Sequence, residues 1–148
     1  MIFKSEISKL NQYIYVGVIL FLLLLTIPAC FEDSYEPLII LFSVNFALIL
    51  FFIWTYKKTF YTIEDVSLYW KSGPFKGKIE ITKINKIEYH NGIIVPTFWK
   101  PALSHIGLII TYNKYDDIYI SPERSADFIA KLLEKNPSIT IKNAPYDL

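Results

Sequence analysis

The sequence is poor in residues that form disulfides or bind metals. It contains one cysteine and two histidines among 148 residues. A single cysteine cannot form an intramolecular disulfide, and one cysteine with two histidines cannot supply the four ligands of a structural zinc site. The chain also lacks a phosphate-binding glycine loop, a CxxC pair and an HExxH motif. We therefore predict no metal site and no cofactor.

An excess of charge of either sign is also absent. Fifteen Lys and Arg residues stand against fourteen Asp and Glu residues, for a net charge of +1. Proteins that bind nucleic acid usually carry a strongly basic field, so nucleic acid is not an expected partner. Apolar residues are abundant instead, at 53% of the chain, with 17% aromatic. This composition argues against disorder, and the length fits about one soluble domain.

Two uncharged apolar runs of nineteen residues lie at 13–31 and 38–56. About twenty residues are needed to cross a hydrocarbon core of about 30 Å, and neither run has the polar stripe of a soluble amphipathic helix. Only the six residues 32–37 separate the runs. The sequence therefore predicts a transmembrane helical hairpin over 13–56. Thr26, Ser43 and Asn45 are its candidates for hydrogen bonds between helices.

The charged flanks of the runs indicate their orientation. Lys4 and Lys9 precede the first run and Lys57 and Lys58 follow the second, whereas the acidic loop at 32–37 contains no Lys or Arg. The positive-inside rule then places both termini in the cytoplasm. The predicted layout is a cytoplasmic arm at 1–12, the hairpin with an acidic outer loop, and a cytoplasmic domain at 57–148.

Two alternative interpretations concern the first run. It could be a cleaved signal peptide, although nineteen residues exceed the usual apolar region of about 7–15. Residues 27–30 also resemble a lipoprotein cleavage box, with Cys30 as the lipidated residue. A proline before the small residue fits that box poorly, and the second run would make a lipid anchor redundant. We favour an uncleaved span with a buried, unreactive Cys30.

Beyond residue 57 the pattern changes to the period-two alternation of short antiparallel strands. The predicted strands are 59–63, 66–72, 77–81, 84–90, 106–113 and 117–121, with a short seventh one at 93–95. A helix follows, with Ser121 as its N-cap and Pro122 in its first turn. Its apolar stripe is Ala126, Phe128, Ile129, Leu132 and Leu133. The predicted class is α+β, with a mainly β soluble part.

A series of short sequence pieces lies in a characteristic order between residues 61 and 139. They are Tyr61-Thr62-Ile63-Glu64-Asp65 with Leu68, Gly73-Pro74-Phe75, Ile79-Glu80-Ile81 with Ile84, Ala102-Leu103-Ser104, Leu108-Ile109-Ile110-Thr111-Tyr112, Ile118-Tyr119-Ile120-Ser121-Pro122, Asp127-Phe128-Ile129 and Asn136-Pro137. In this order the chain resembles the YyaB-like family of bacterial pleckstrin-homology (PH) domains. The resemblance implies two membrane spans before a PH-like, partly open β-barrel of about seven strands, capped by a C-terminal α-helix. It also implies a bacterial origin and no known activity.

Two surfaces are candidate binding sites. The predicted lipid-facing lysines are Lys57, Lys58, Lys71, Lys76 and Lys78, which lie beside the membrane or flank Gly73-Pro74. The alternative interpretation is that these five residues are ordinary solvated surface lysines. The basic turn with which eukaryotic relatives hold phosphoinositides is absent, because the corresponding turn is Glu64-Asp65. The second surface is the segment 91–101, whose Phe98 and Trp99 either contact a partner or fold back over an open end of the barrel.

No catalytic residue is predicted. Ser104 and His105 are neighbours in sequence, so on a strand they would point to opposite faces, and Asp116-Asp117 is typical of a turn. We expect a membrane-anchored PH-like interaction or regulatory module in the bacterial inner membrane, not an enzyme. Its expected partners are membrane lipids, through two spans, and an unknown protein, while self-association is left open. The alternative is a module that binds anionic lipid at the inner membrane surface.

Overall fold

The computed structural model describes residues 1–31 and 34–143. The helices in this part of the chain are α1 (Lys9–Leu24), α2 (Glu36–Lys57) and α3 (Ser125–Lys135), with short 3-10 turns at Pro28–Phe31 and Ile81–Lys83. The strands are β1 (Ile2–Lys4), β2 (Thr59–Glu64), β3 (Ser67–Ser72), β4 (Phe75–Glu80), β5 (Ile84–Asn91), β6 (Ile106–Tyr112), β7 (Asp116–Ile120) and β8 (Thr140–Lys142). The predicted acidic loop falls partly on residues 32 and 33, and the end of the predicted domain on 144–148, outside the described residues.

The eight strands form two four-stranded sheets. The first has the order β1-β2-β3-β4 and the second the order β7-β6-β5-β8. All neighbours are antiparallel except β5 and β8. Side chains from both sheets, among them Leu68 and Ile110, meet Phe128 and Leu132 of α3 in one core. The predicted α+β class is confirmed.

Six of the eight strands lie where the alternation of apolar and polar residues predicts them. The other two, β1 and β8, have three residues each, too few to show a period. No strand forms at 93–95 within the described residues, so that prediction is wrong. Val95 there packs its side chain against Ile109 and Tyr119, over the outer face of the second sheet.

Strand β1 brings the N-terminal residues into the domain. It pairs antiparallel with β2, so that Phe3 lies opposite Tyr61 and Lys4 opposite Phe60. Phe3 is only 1% exposed, and its ring centroid lies 5.1 Å from that of Phe128. The first sheet is therefore built from residues that precede α1 and residues that follow α2.

The first apolar run is helical over a shorter stretch than predicted. One continuous helix over 13–31 does not form, because α1 ends at Leu24 and a separate 3-10 turn follows at Pro28–Phe31. Pro28 has no N–H to donate to the Leu24 carbonyl, and its ring clashes with that carbonyl in a continued helix. Thr26 and Ile27 instead donate to carbonyls three residues back, both at 3.1 Å. Helix α2 covers the whole second run.

Asn45 joins the two apolar helices. Its Nδ2 donates to the Leu22 carbonyl oxygen at 2.8 Å, and the residue is 6% exposed. The last carbonyls of a helix have no helical donor, so Leu22 can accept this bond from outside. Thr26 and Ser43 do not link the helices, because each hydroxyl donates to a carbonyl of its own segment. One of the three predicted polar residues therefore makes the interhelical contact.

Helix α3 begins later than predicted. Its first residue is Ser125, and Arg124, at φ 56°, turns the chain into it. Ser121 is fully buried, its Oγ lies 2.9 Å from the Ser5 Oγ, and it accepts a bond from the Leu103 N–H at 3.2 Å. Ser121 as the N-cap is therefore wrong, because its hydroxyl is used between the N-terminal arm and the segment before β6.

The Tyr61 hydroxyl lies at the centre of this polar cluster. It donates to the Pro101 carbonyl at 2.6 Å and accepts from the Ser121 N–H at 3.1 Å. Tyr61 is completely buried, and burial raises the pKa of its hydroxyl. One phenol thus connects β2 to two segments that are distant in sequence.

We predict that Asn45→Leu weakens the association of α1 and α2. Interhelical hydrogen bonds of this kind contribute on the order of 0.6 kcal/mol, with a maximum near 1.7. The free energy of unfolding in mild detergent micelles, from a denaturant titration, should fall by that amount. Ser43→Ala is the matched control and should change little, because Ser43 bonds within its own helix. Equal effects of both changes would contradict the assignment.

We predict that Tyr61→Phe lowers the free energy of unfolding by about 1–3 kcal/mol, because it leaves the Pro101 carbonyl and the Ser121 N–H buried without a partner. A urea titration of the full chain in micelles measures this loss. Tyr69→Phe is the control, since the Tyr69 hydroxyl makes no hydrogen bond within the described part of the chain and 39% of the residue is exposed. A loss no larger than that of the control would contradict this role.

The pH dependence follows from the same burial. Burial raises the pKa of both Tyr61 and Tyr119, so the folded protein holds these protons more tightly than the unfolded chain. This stability is fully present below the unfolded pKa of about 10 and is lost as the pH rises above it. We expect the free energy of unfolding to fall between pH 10 and 11, and to fall less steeply in Tyr119→Phe. A slope unchanged in that variant would argue against this cause.

Candidate binding surface

The outward face of the first sheet carries a row of lysines. The strand register places Lys4, Phe60, Lys71 and Lys76 next to one another on four successive strands. Directly paired residues project from the same face of a sheet. Lys71 and Lys76 are immediate neighbours, while Phe60 lies between Lys71 and Lys4. We call these four residues the lysine row.

The next set of paired residues continues this face. Tyr69 pairs with Lys78, whose Nζ lies 5.7 Å from the centre of the Tyr69 ring. This distance is within the range of a cation–π interaction. The aromatic rings of Tyr69 and Phe60 thus alternate with lysines on a surface that solvent reaches. Such a surface offers both cations and apolar area to a ligand.

The charge of this face changes sign along the strands. The lysine row lies at the end of the sheet where α2 runs into β2, beside Lys57 and Lys58. Glu64 and Glu80, the last residues of β2 and β4, lie at the opposite end. The face is therefore polarised, with its basic end towards the apolar helices, although the net charge of the chain is only +1.

Two adjoining cavities contain all five lysines that the sequence singled out. One, of about 520 Å³, is lined by Lys71, Lys76 and Lys78 together with Phe60, Tyr69, Trp70 and Gly77. The other, of about 490 Å³, is lined by Lys57, Lys58 and Lys4, with Glu123 among its remaining walls. Phe60 lines both. No lysine of these two cavities forms an ion pair within the described residues.

Sequence reasoning missed Lys4 and Phe60 as members of this surface. The sequence indicates only a role in positive-inside orientation for Lys4, because nothing in it shows that the segment of Lys4 pairs with β2. The alternation Ile2, Phe3, Lys4 was the available signal, with Phe3 inward and its neighbours outward. Three residues are too short a pattern to distinguish from chance.

Phe98 and Trp99 differ in how far they are packed into the domain. The Trp99 ring lies 5.8 Å from Trp70 and 6.5 Å from Phe75, and its carbonyl accepts from the Tyr119 N–H at 2.9 Å. Trp99 is 45% exposed, whereas Phe98 is 88% exposed. Trp99 therefore joins the two sheets, while Phe98 remains a candidate contact residue.

Ser104 and His105 do not meet. The Ser104 hydroxyl accepts from the Ile106 N–H at 3.1 Å, as a turn residue would. The His105 Nδ1 lies 3.0 Å from the hydroxyl of Ser8, the N-cap of α1. Asp116 accepts from the Asn113 side chain across its turn at 2.7 Å. Within the described residues no group of three or more His, Cys, Asp or Glu could hold a metal ion.

Comparison with known proteins gives one result. The family model described as bacterial PH domain matches residues 59–136, more than half of the chain. The match begins with β2 and ends just after α3, so it covers β3 and β4, which carry Lys71, Lys76 and Lys78, and the helix that closes the core, while β1 with Lys4 lies before it. No curated protein and no solved structure matches the chain. The chain therefore belongs to the bacterial PH domain family, and residues 59–136 form its PH-like domain.

Proposed function

We propose that this protein is a PH-domain binding module anchored in the bacterial inner membrane, which contacts anionic lipid headgroups with its lysine row and catalyses no reaction. The observation that carries the proposal is the polarised face of the first sheet, basic beside α2 and acidic at the far end. The order of the sequence pieces supports placing the chain in the YyaB-like group of the family. In that group the two sheets would form a partly open barrel.

Helix α2 is the first support for membrane anchoring. It has 22 residues and is the one helix in residues 1–31 and 34–143 that is long and apolar enough to cross a bilayer. At 1.5 Å per residue it is about 33 Å long, close to the hydrocarbon thickness. Lys57 and Lys58 at its end would lie among the inner headgroups.

The pairing of β1 with β2 is the second support. Because these strands are hydrogen-bonded neighbours, the segment between them leaves the first sheet and returns to it. Both ends of this segment must therefore lie on the same side of a membrane. If α2 crosses the bilayer, the residues before it must cross too. Helix α1, about 24 Å long, with the apolar residues up to Phe31, is the segment available for this. We therefore retain the two-span hairpin, with both termini in the cytoplasm.

Contacts between the helices agree with this arrangement. Tyr15, near the start of α1, packs its ring 6.0 Å from Phe52 and 5.6 Å from Tyr56, near the end of α2. The helices are thus antiparallel, with tyrosines at the end next to the domain. Tyrosine and tryptophan favour the interface between membrane and water.

Removal of the first run would damage the domain. A signal peptidase or lipoprotein cut near Cys30 would release β1, with the buried Phe3 and the Ser5 hydroxyl that accepts from the Leu103 N–H at 3.1 Å. We therefore favour the uncleaved protein. The expectation of a buried Cys30 is wrong, because this residue is exposed in a turn after α1. It would lie at the outer surface in the proposed topology.

The lysine row gives the domain a lipid partner. Each lysine close to an anionic membrane surface contributes about 1 kcal/mol. Strand β2 begins two residues after α2 ends, so the domain has almost no linker and must stay at the bilayer. Lysines at the basic end of the sheet are then held near headgroups.

A protein partner is the second candidate. Phe98 is 88% exposed and Ile94 87% exposed in the same segment, and exposed apolar side chains of this kind often mark contact surfaces. A regulatory partner bound there would be compatible with the lipid contact, because the lysine row is on another face. Self-association through this segment is a form of the same hypothesis.

Labelling of single cysteines tests the topology. We expect native Cys30 in spheroplasts to react with a membrane-impermeant maleimide. Tyr115→Cys in a Cys30→Ser background should react only after permeabilisation, since Tyr115 is an exposed residue of the domain. Reaction of the residue 115 thiol in intact spheroplasts would contradict the proposed orientation.

Lipid crosslinking tests whether the face that carries Lys71, Lys76 and Lys78 contacts anionic lipid. The full chain is placed in nanodiscs of mixed phosphatidylcholine and phosphatidylglycerol, with the photoreactive amino acid p-benzoylphenylalanine at position 69. We expect phosphatidylglycerol to be enriched several-fold over its bulk fraction among crosslinked lipids. The triple change Lys71→Glu, Lys76→Glu, Lys78→Glu should abolish this enrichment, and about 0.5 M salt should reduce it.

The control has equal charge change at a different place. Lys114, Lys131 and Lys142 are exposed and lie in the β6–β7 turn, on α3 and on β8, away from the first sheet, so their joint change to Glu should leave the enrichment intact. Equal loss in both triple variants would reduce the effect to net charge. Full enrichment in the first triple variant would refute lipid binding at this face.

A further inference from the structure

The turn between β3 and β4 is fixed against helix α2. A Cβ added to Gly73 would lie 2.8 Å from the Thr55 Oγ1 and 3.2 Å from the Thr55 Cα, and Gly73 has φ +56°. Only glycine meets both constraints easily. The Gly73 N–H also donates to the Lys58 carbonyl at 3.1 Å. The turn therefore cannot move away from the helix without breaking these contacts.

This contact carries Phe75 to a point beside the apolar part of α2. The Phe75 ring centroid lies 6.5 Å from that of Phe51, edge to face, and Phe75 is 51% exposed. Phe51 precedes Lys57 by six residues, which is about 9 Å along the helix axis. If Lys57 lies among the headgroups, Phe75 lies beside a residue of the hydrocarbon region.

The aromatic surface continues from Phe75 to the segment before β6. Ring centroids are 6.5 Å apart for Phe75 and Trp99, and 5.5 Å apart for Trp99 and Phe98. Trp99 is held by the Tyr119 N–H and by Trp70, so this segment is fixed on the sheets. We call Phe75, Phe98 and Trp99 the aromatic ridge.

A lysine follows two members of the ridge. Lys76 comes directly after Phe75 and Lys100 directly after Trp99, and both are exposed. Aromatic rings with neighbouring lysines are typical of protein segments at the membrane interface, where the ring enters the acyl boundary and the amine reaches back to phosphate. The ridge is also continuous with Phe51 of the helix that we propose to span the bilayer.

We propose that the aromatic ridge inserts into the inner leaflet of the membrane that holds α2, as a second contact of the domain with lipid. The occupant of this surface is the acyl–glycerol region of lipids around the hairpin. The inference rests on the proposed anchoring by α2. It gives Phe98 a role that exposure alone does not, and it fixes the tilt of the domain so that the lysine row lies on headgroups.

Nitroxide labels on single cysteines in the full chain test this insertion. In a Cys30→Ser background, labels are placed at Phe98→Cys, at Glu64→Cys on the far end of the sheet, and at Leu48→Cys within α2. Power-saturation spectroscopy in nanodiscs compares collision with oxygen, which concentrates in lipid, and with a water-soluble nickel chelate. We expect the label at 98 to favour oxygen several-fold relative to the label at 64.

The label at 48 separates failure of this proposal from failure of the anchoring. A lipid-exposed label at 48 with a water-exposed label at 98 would overturn insertion of the ridge alone. A water-exposed label at 48 would overturn the anchoring and the ridge together. A label at 98 shielded from both oxygen and nickel would show a protein contact in place of lipid, and would also overturn the proposal.

A substitution within the ridge gives an independent readout. Phe75→Ser should raise the nickel accessibility of the label at 98 several-fold, because it removes the ring between the helix and the rest of the ridge. Ile94→Ser is the matched control, since Ile94 is 87% exposed and makes no aromatic contact of the ridge. No change with Phe75→Ser would refute the continuity of the ridge with the membrane helix.

Discussion

The antiparallel pairing of β1 with β2 is the contact on which the rest of the arrangement depends. It joins residues on the two sides of the helical segment and buries Phe3 against Phe128. Hydrogen bonds between backbones fix its register, and a shift by one residue would turn Phe3 outward and Lys4 inward. The same pairing supplies the first member of the lysine row and brings both ends of the helical segment to one sheet.

The helical segment is adapted to this constraint. Pro28 ends α1, and the free carbonyl of Leu22 then accepts the Asn45 side chain. In an apolar surrounding an unsatisfied amide is costly, so a single asparagine can specify how two apolar helices align. Tyr15 and Tyr56 complete the contact at the end near the domain. The hairpin proposed for the membrane is thus specified by a few polar and aromatic residues on otherwise uniform surfaces.

The two proposed lipid contacts use different physics at the same end of the domain, next to α2. The lysine row acts through charge, which salt screens, whereas the aromatic ridge acts through apolar burial, which salt affects little. Gly73 connects both to α2, because it lets the β3–β4 turn rest on the Thr55 backbone. A domain held in this way presents its remaining surface to the cytoplasm in one orientation, which suits a module that recruits or regulates a partner.

The sequence by itself determined the features that depend on local pattern. The period-two alternation of β2 to β7 is visible along the chain, because burial of one face of a strand imposes a short period. The uncharged apolar runs and the positions of the five lysines are also visible in the sequence. Only the tertiary structure decided which distant segments meet. It paired three N-terminal residues with β2 and so added Lys4 and Phe60 to the basic face. It also placed Ser121 in a buried polar cluster instead of a helix cap, and it packed Trp99 while leaving Phe98 exposed. These outcomes depend on strand register and on packing between residues far apart in sequence, for which a single chain carries no local signal.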